Sequence, residues 1–91
     1  MTPAFEDAVL DVIRSIPPGH VMSYGEVADE AGFPRSARAV GTLLRTTTEE
    51  CPWWRVIGWD GRLRAPDRDR QMALLTGEGV AVAGGRAILG A

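Results

Sequence analysis

Nucleophilic, acid–base or metal chemistry needs a thiol, an imidazole or a cluster of carboxylates, and this chain has few of them. Cys51 is its only cysteine and His20 its only histidine. A cysteine attacks as the thiolate and so needs a neighbour that lowers its pKa, whereas Cys51 follows Glu49 and Glu50, which raise it. His20 adjoins Pro17-Pro18-Gly19, with no second histidine or cysteine at metal-ligand spacing, and is expected to be an ordinary turn residue. No catalytic residue, metal site or cofactor follows from these two. Beside Cys51, the stretch 51-CPWWRVIGW-59 instead gathers all three tryptophans of the chain. Tryptophan is large and loses little entropy when fixed, so such a group covers either a core or a ligand.

The elements that must position these residues can be read from apolar spacing. In 3-PAFEDAVLDVIRSI-16, Phe5, Val9, Val12, Ile13 and Ile16 recur at helical spacing until Pro17-Pro18-Gly19 stops the helix. Ser23 and Glu26 have the spacing of a capping box, predicting a short helix from Tyr24 to about Ala31 that Gly32 ends. Pro34 suits a first helical position, so 34-PRSARAVGTLLRTTT-48 reads as a third helix. Its buried stripe is Val40, Leu43, Leu44 and Thr47, and Arg38, Thr42 and Arg45 face outward.

After Pro52 the pattern changes. Arg-Val-Ile and Arg-Leu-Arg flank Asp60-Gly61, which predicts a two-stranded hairpin over 54–64 with Trp59 near its tip. Residues 67–76 read as a last helix with Met72 and Leu75 inward, Val80-Ala81-Val82 as a short strand, and residues 83–91 as a loosely ordered tail. The fold class is therefore mostly α with a small β-hairpin, a winged helix-turn-helix in one domain spanning 1–91.

Ninety-one residues bury one modest core, and an apolar content of 45% with 24% charged residues is that of a folded domain. The acidic start lacks a secretory pattern and no apolar run approaches the roughly 20 residues that cross a bilayer, so a cytoplasmic monomer with no membrane partner is expected. A net charge of −2 would argue against nucleic acid, but it hides an asymmetry. Up to Pro34, Arg14 stands against six acids; between 35 and 64, six arginines stand against Glu49, Glu50 and Asp60.

Four motifs, 23-SYGEVA-28, 37-ARAVG-41, 52-PWWRV-56 and 74-LLTGEGV-80, occur in an order that resembles the carboxyl-terminal DNA-binding domain of the O6-alkylguanine-DNA alkyltransferases. The resemblance covers about residues 4–82. The repair enzymes carry Pro-Cys-His-Arg-Val, whose cysteine takes the alkyl group; here the same positions are Pro52, Trp53, Trp54, Arg55 and Val56. An indole cannot accept an alkyl group as a thiolate does, and tryptophan at the cysteine position marks the alkyltransferase-like branch, which is not enzymatic. That branch usually keeps the histidine, which is Trp54 here.

The resemblance implies a set of DNA- and lesion-binding residues. Arg38 would fill the space left by a flipped nucleotide, with Ala37, Ala39 and Gly41 letting the helix approach the minor groove. Tyr24 would crowd the target's 3′ phosphate, and Trp53 would offer its face to the alkylated base, with Arg55 and Arg64 nearby. Trp54 would pack, strand alternation sending it away from Trp53. Glu78 matches the family's carboxylate and would serve structure. Thr47 stands near the family's asparagine hinge. Pro66 occupies the place of a pocket tyrosine or arginine, which Arg64 or Arg68 would replace. The partners implied are alkylated double-stranded DNA and nucleotide excision repair proteins. Two alternatives stay open: an alkyltransferase using a displaced Cys51, and a winged-helix regulator that reads undamaged sequence.

Overall fold

Thr2 accepts a hydrogen bond from the Phe5 amide at 3.2 Å and Pro3 takes the first helical position, so α1 (Pro3–Ser15) starts where local chemistry dictates. It buries Phe5, Val9, Leu10 and Ile13. The computed structural model describes residues 2–89. A two-residue strand β1 (Met22–Ser23) leads into α2 (Tyr24–Glu30) through the capping box. Glu26 N–H donates to Ser23 Oγ at 3.0 Å and Ser23 N–H to Glu26 Oε1 at 2.9 Å.

The third helix starts later than Pro34 suggests. The Phe33 amide bonds back to the Ala28 carbonyl at 2.9 Å, which turns the Phe33 ring onto Phe5, edge to face with centroids 5.1 Å apart. The chain must then reverse, which it does through Arg35 at φ +69°, a left-handed conformation incompatible with a helix already running. Helix α3 therefore spans Ala37–Thr46 and packs on α2 as the helix-turn-helix.

A single turn of 3₁₀ helix (Trp53–Arg55) precedes β2 (Val56–Ile57). The hairpin expected over 54–64 does not form: β2 pairs in parallel with β1, Met22 opposite Val56 and Ser23 opposite Ile57. Asp60-Gly61 does make a tight turn, with Gly61 at φ +86° and Gly58 N–H bonded to the Arg62 carbonyl at 2.8 Å. The strand after that turn pairs elsewhere. Ala87 N–H reaches the Gly61 carbonyl, Leu63 N–H reaches that of Gly85, and Arg62 bridges Arg86.

The wing is thus carboxyl-terminal. Strands β3 (Ala81–Ala83) and β4 (Arg86–Ile88) form an antiparallel hairpin closed by Gly84 and Gly85, both at positive φ as the two-residue turn requires. Residues 83–89, expected as loose tail, are therefore ordered by ladder bonds on both sides of β4, with Ala87 buried beneath. Gly90 and Ala91 of that expected tail lie outside the described residues.

Helix α4 (Arg68–Gly77) is capped by Asp67, whose carboxylate accepts from the Arg70 amide at 3.0 Å. It buries Gln71 and Leu75, four residues apart, and leaves Met72 exposed, contrary to the expected inward pair. Two apolar clusters result. Phe5, Ile13, Val27, Val40, Leu43 and Val56 belong to the first, with Ile57, Leu63, Leu75, Val80 and Ala87 in the second. They meet at β2, where Val56 faces one and Ile57 the other. No helix among the described residues is long and apolar enough to cross a membrane.

Candidate nucleic-acid interface

The parallel β1–β2 pair sets the start of α2 beside the 3₁₀ turn, and so brings Tyr24 to the tryptophans. Between them opens a cavity of about 840 Å³, within the range of small-molecule binding sites. Tyr24, Gly41, Leu44 and Arg45 form one wall, the 47–52 loop and Trp53 the back, and Arg64, Pro66 and Arg70 the other wall. The loop is held from behind by Arg14, which donates twice to the Glu50 carbonyl at 3.1 and 3.0 Å.

Trp53 and Trp54 both border this space, 5.8 Å apart and nearly perpendicular. Their environments differ. Trp54 packs on the second cluster and its indole N–H donates to Glu78 at 3.0 Å, with the Arg55 guanidinium 5.3 Å over its ring. Trp53 belongs to neither cluster and makes no side-chain hydrogen bond among the described residues. What separates the two is the 3₁₀ turn, with about 120° between successive side chains, and not the strand alternation expected from sequence.

Arg55 is held within the fold. Its Nε and Nη2 donate to Glu78 at 3.0 and 2.5 Å, its Nη1 donates to the Ile16 carbonyl at 2.8 Å, and its side chain is only 12% exposed. With those donors engaged, Arg55 ties the 3₁₀ turn to Glu78 and α1 while still bordering the cavity. Glu78 accepts from Arg55, Trp54 and the Gly19 amide together. The Arg55 hydrogen bonds hold its carboxyl down at about 2, against the upward pull of partial burial and with help from Trp54 and Gly19.

On α3, Arg38 is exposed and has no ion pair among the described residues. Ala37 beside it is half-buried. Ala39 is turned onto the first cluster, so it is a packing residue, whereas Gly41 lies against the cavity. A Cβ on Gly41 would meet the Tyr24 ring at 3.9 Å, ordinary contact, so the glycine keeps the tyrosine close without being sterically obligatory. Burial pushes the Tyr24 hydroxyl above its usual pKa while Arg64 and Arg45 draw it back, leaving a neutral donor between two cations. Arg64 lines the cavity and also reaches Asp60 at 3.3 Å. Arg68 lies on the other flank of α4, so the cations next to Pro66 are Arg64 and Arg70.

Cys51 lines the cavity half-buried. Burial raises its thiol pKa, opposed by Arg14 and the Trp53 amide. The direction agrees with its sequence neighbours, but the cause is desolvation rather than Glu49 and Glu50. His20 is exposed in the turn after α1, its Nδ1 3.3 Å from the Pro18 carbonyl.

With this geometry in place, residues 4–80 match the family described as 6-O-methylguanine DNA methyltransferase, DNA binding domain. The chain belongs to this family. It is 42% identical over 85 residues to the Escherichia coli DNA base-flipping protein, covering 89% of this chain and 66% of that protein, just under two thirds of its length. It is 37% identical over 84 residues to Schizosaccharomyces pombe alkyltransferase-like protein 1, covering 86% of this chain and 78% of that one. Its fold is similar to the crystal structure of S. pombe Atl1 in complex with damaged DNA containing O6-carboxymethylguanine. The TM-score is 0.87 and the identity 32%, over 99% of this chain and 92% of that one.

In this methyltransferase-family domain, one supporting residue escapes sequence reasoning. Gln71 is fully buried, donates to the Trp54 carbonyl at 3.2 Å and the Val56 carbonyl at 2.9 Å, and accepts from the Ala65 amide at 3.4 Å. It ties the 3₁₀ turn to the opposite wall of the cavity. The available signal was its i,i+4 spacing to Leu75, which a polar residue obscures. Gln71→Leu leaves those three groups without a protein partner and is expected to cost about 2 kcal/mol. Thermal unfolding followed by circular dichroism should show Tm falling by roughly 10 °C.

Proposed function

We propose that this protein recognises O6-alkylguanine in duplex DNA without catalysis and flags it for nucleotide excision repair. The helix-turn-helix docks in the minor groove, Arg38 takes the place of the extruded nucleotide, and Tyr24 crowds its phosphate. Extruding a base costs a few kcal/mol, which the cavity must return. The observation that carries the reading is Trp53. It stands where the related enzymes have their reactive cysteine, it lines the cavity, and apart from its near-perpendicular contact with Trp54 it belongs to neither apolar cluster and makes no side-chain hydrogen bond among the described residues. An aromatic face at that position binds a base and cannot be alkylated as a thiolate is. The E. coli relative's name as a base-flipping protein and the Atl1 complex with O6-carboxymethylguanine DNA support the same reading.

Fluorescence anisotropy with an O6-methylguanine duplex and its unmodified counterpart tests it. Tighter binding of the lesion duplex by tenfold or more is expected, and equal affinities would refute it. Cys51, on the wall of the same cavity, sustains a rival enzymatic reading. Intact-protein mass spectrometry after incubation with the lesion duplex is expected to show an unchanged mass, because burial keeps the thiol protonated and the motif histidine is Trp54.

A further inference from the structure

Trp59 is the most exposed of the large apolar side chains among the described residues, at 88%, whereas Trp53 and Trp54 are half-buried. A single apolar side chain in water is ordinary, so exposure alone assigns Trp59 nothing. Its position does. The turn that carries it is fixed at both ends: Gly58 N–H donates to the Arg62 carbonyl at 2.8 Å and Gly61 N–H to the Gly58 carbonyl at 2.9 Å. Asp60 Oδ1 accepts from the Arg62 amide at 3.1 Å, and Ala87 N–H ties Gly61 to β4. An indole presented on such a turn loses little further freedom when a ligand covers it.

The same turn is built against the cavity. Arg64, which lines the cavity, donates to Asp60 at 3.3 Å. A Cβ on Gly58 would fall 2.5 Å from Arg64 Nε and 3.1 Å from its Cδ, so the arginine stem lies across Gly58 and a side chain there would displace it. Both chain neighbours of Trp59 therefore touch one cavity-lining residue. From Arg64 the strip continues inward, since Arg64 is the foremost of the two cations acting on the Tyr24 hydroxyl.

Charge along this strip is positive. Asp60 is the one carboxylate for both Arg62 and Arg64, 3.3 Å from each. Arg86, opposite Arg62 in the antiparallel bridge, has no carboxylate partner among the described residues. Three guanidiniums against one carboxylate favour an anionic partner, and like charges set opposite each other are relieved by one.

We infer that Trp59 lies against the sugar–phosphate backbone of the duplex beside the extruded nucleotide, the indole covering deoxyribose while Arg62 and Arg64 meet phosphates. The inference rests on the reading that the cavity faces duplex DNA. A strand that delivers a base to the cavity passes the cavity's edge, and beside Arg64 that edge is the turn bearing Trp59. The contact lies outside the cavity, so it holds lesion and unmodified duplexes alike.

Trp59→Ala and Trp59→Phe test this by fluorescence anisotropy with O6-methylguanine and unmodified duplexes at one ionic strength. Trp59→Ala is expected to weaken both duplexes by a similar factor, about fivefold or more, with Tm unchanged. Trp59→Phe, which keeps an apolar ring, should restore most of the affinity. Unchanged affinity of Trp59→Ala for both duplexes would overturn the contact. A loss confined to the lesion duplex would overturn it too, by placing the indole's effect within the cavity. Should wild type bind the two duplexes equally, lesion recognition fails by itself, and the Trp59→Ala comparison on unmodified DNA still upholds or overturns the contact.

Discussion

Glu78→Gln is expected to lower the unfolding free energy at pH 7 by about 3 kcal/mol, with Tm falling by roughly 10–20 °C. The carboxylate accepts from Arg55, Trp54 and Gly19 and thereby joins α4, the 3₁₀ turn and the turn after α1. An amide in its place can still accept from Trp54 but leaves the Arg55 cation, 12% exposed, without its counter-ion. The folded carboxyl titrates at about 2 against an ordinary 4.5, a depression worth about 3 kcal/mol. Because the folded value lies below the unfolded one, this stability is complete above pH 4.5 or so. It is lost as pH falls toward 2. Urea unfolding at pH 7 and at pH 2.5 measures both statements: the gap between wild type and variant should be wide at the first and much narrower at the second. A variant within 1 kcal/mol of wild type at pH 7 would show that the pair is not what joins these elements.

Trp53→Ala and Arg38→Ala carry the other large effect, on lesion binding. Stacking a base on an aromatic ring contributes about 1–3 kcal/mol, so loss of Trp53 is expected to weaken the lesion duplex roughly 10- to 100-fold and to leave the unmodified duplex unchanged. Stability should move little, since Trp53 lies outside both apolar clusters. Arg38 has no ion pair to give up, and a charge-assisted contact is worth about 1.5–3 kcal/mol. Arg38→Ala should therefore reduce lesion affinity by a similar factor, with a smaller loss on unmodified DNA. Equal weakening of both duplexes by Trp53→Ala would refute the stacking role, and the same result for Arg38→Ala would reduce it to a phosphate contact.

The cavity's lining supports the proposal of binding over transfer. Its two tryptophans are held differently: Trp54 is fixed by Glu78 and Arg55, and Trp53 touches Trp54 nearly perpendicularly and makes no side-chain hydrogen bond among the described residues. Cys51 is within the same lining, yet burial holds its proton on. Gln71 fixes the carbonyls of Trp54 and Val56, so the spacing of the walls depends on a side chain that touches no ligand. Such preorganisation lowers what binding must spend on ordering the pocket.

Sequence alone determined what rests on neighbours a few residues apart. The Ser23 cap, the Pro17-Pro18-Gly19 stop, the Gly32 and Asp60-Gly61 turns and the inward stripe of α1 were all legible, because a cap or an apolar stripe is complete within one or two turns of chain. The ordered motifs made the family legible as well, since Tyr24, Arg38 and Trp53 keep their spacing in the chain. Tertiary structure decided what rests on partners far along it. Ile57 pairs with Ser23 rather than with the strand after the Asp60 turn, and Arg62 pairs with Arg86, so the wing forms from residues expected to be tail. Arg55 bonds to Glu78 and Ile16, and Gln71 is turned inward on a helix that local pattern oriented by Met72. A backbone or guanidinium donor has one strong partner to find, and which acceptor lies within 3 Å of it is settled only when distant segments are packed together.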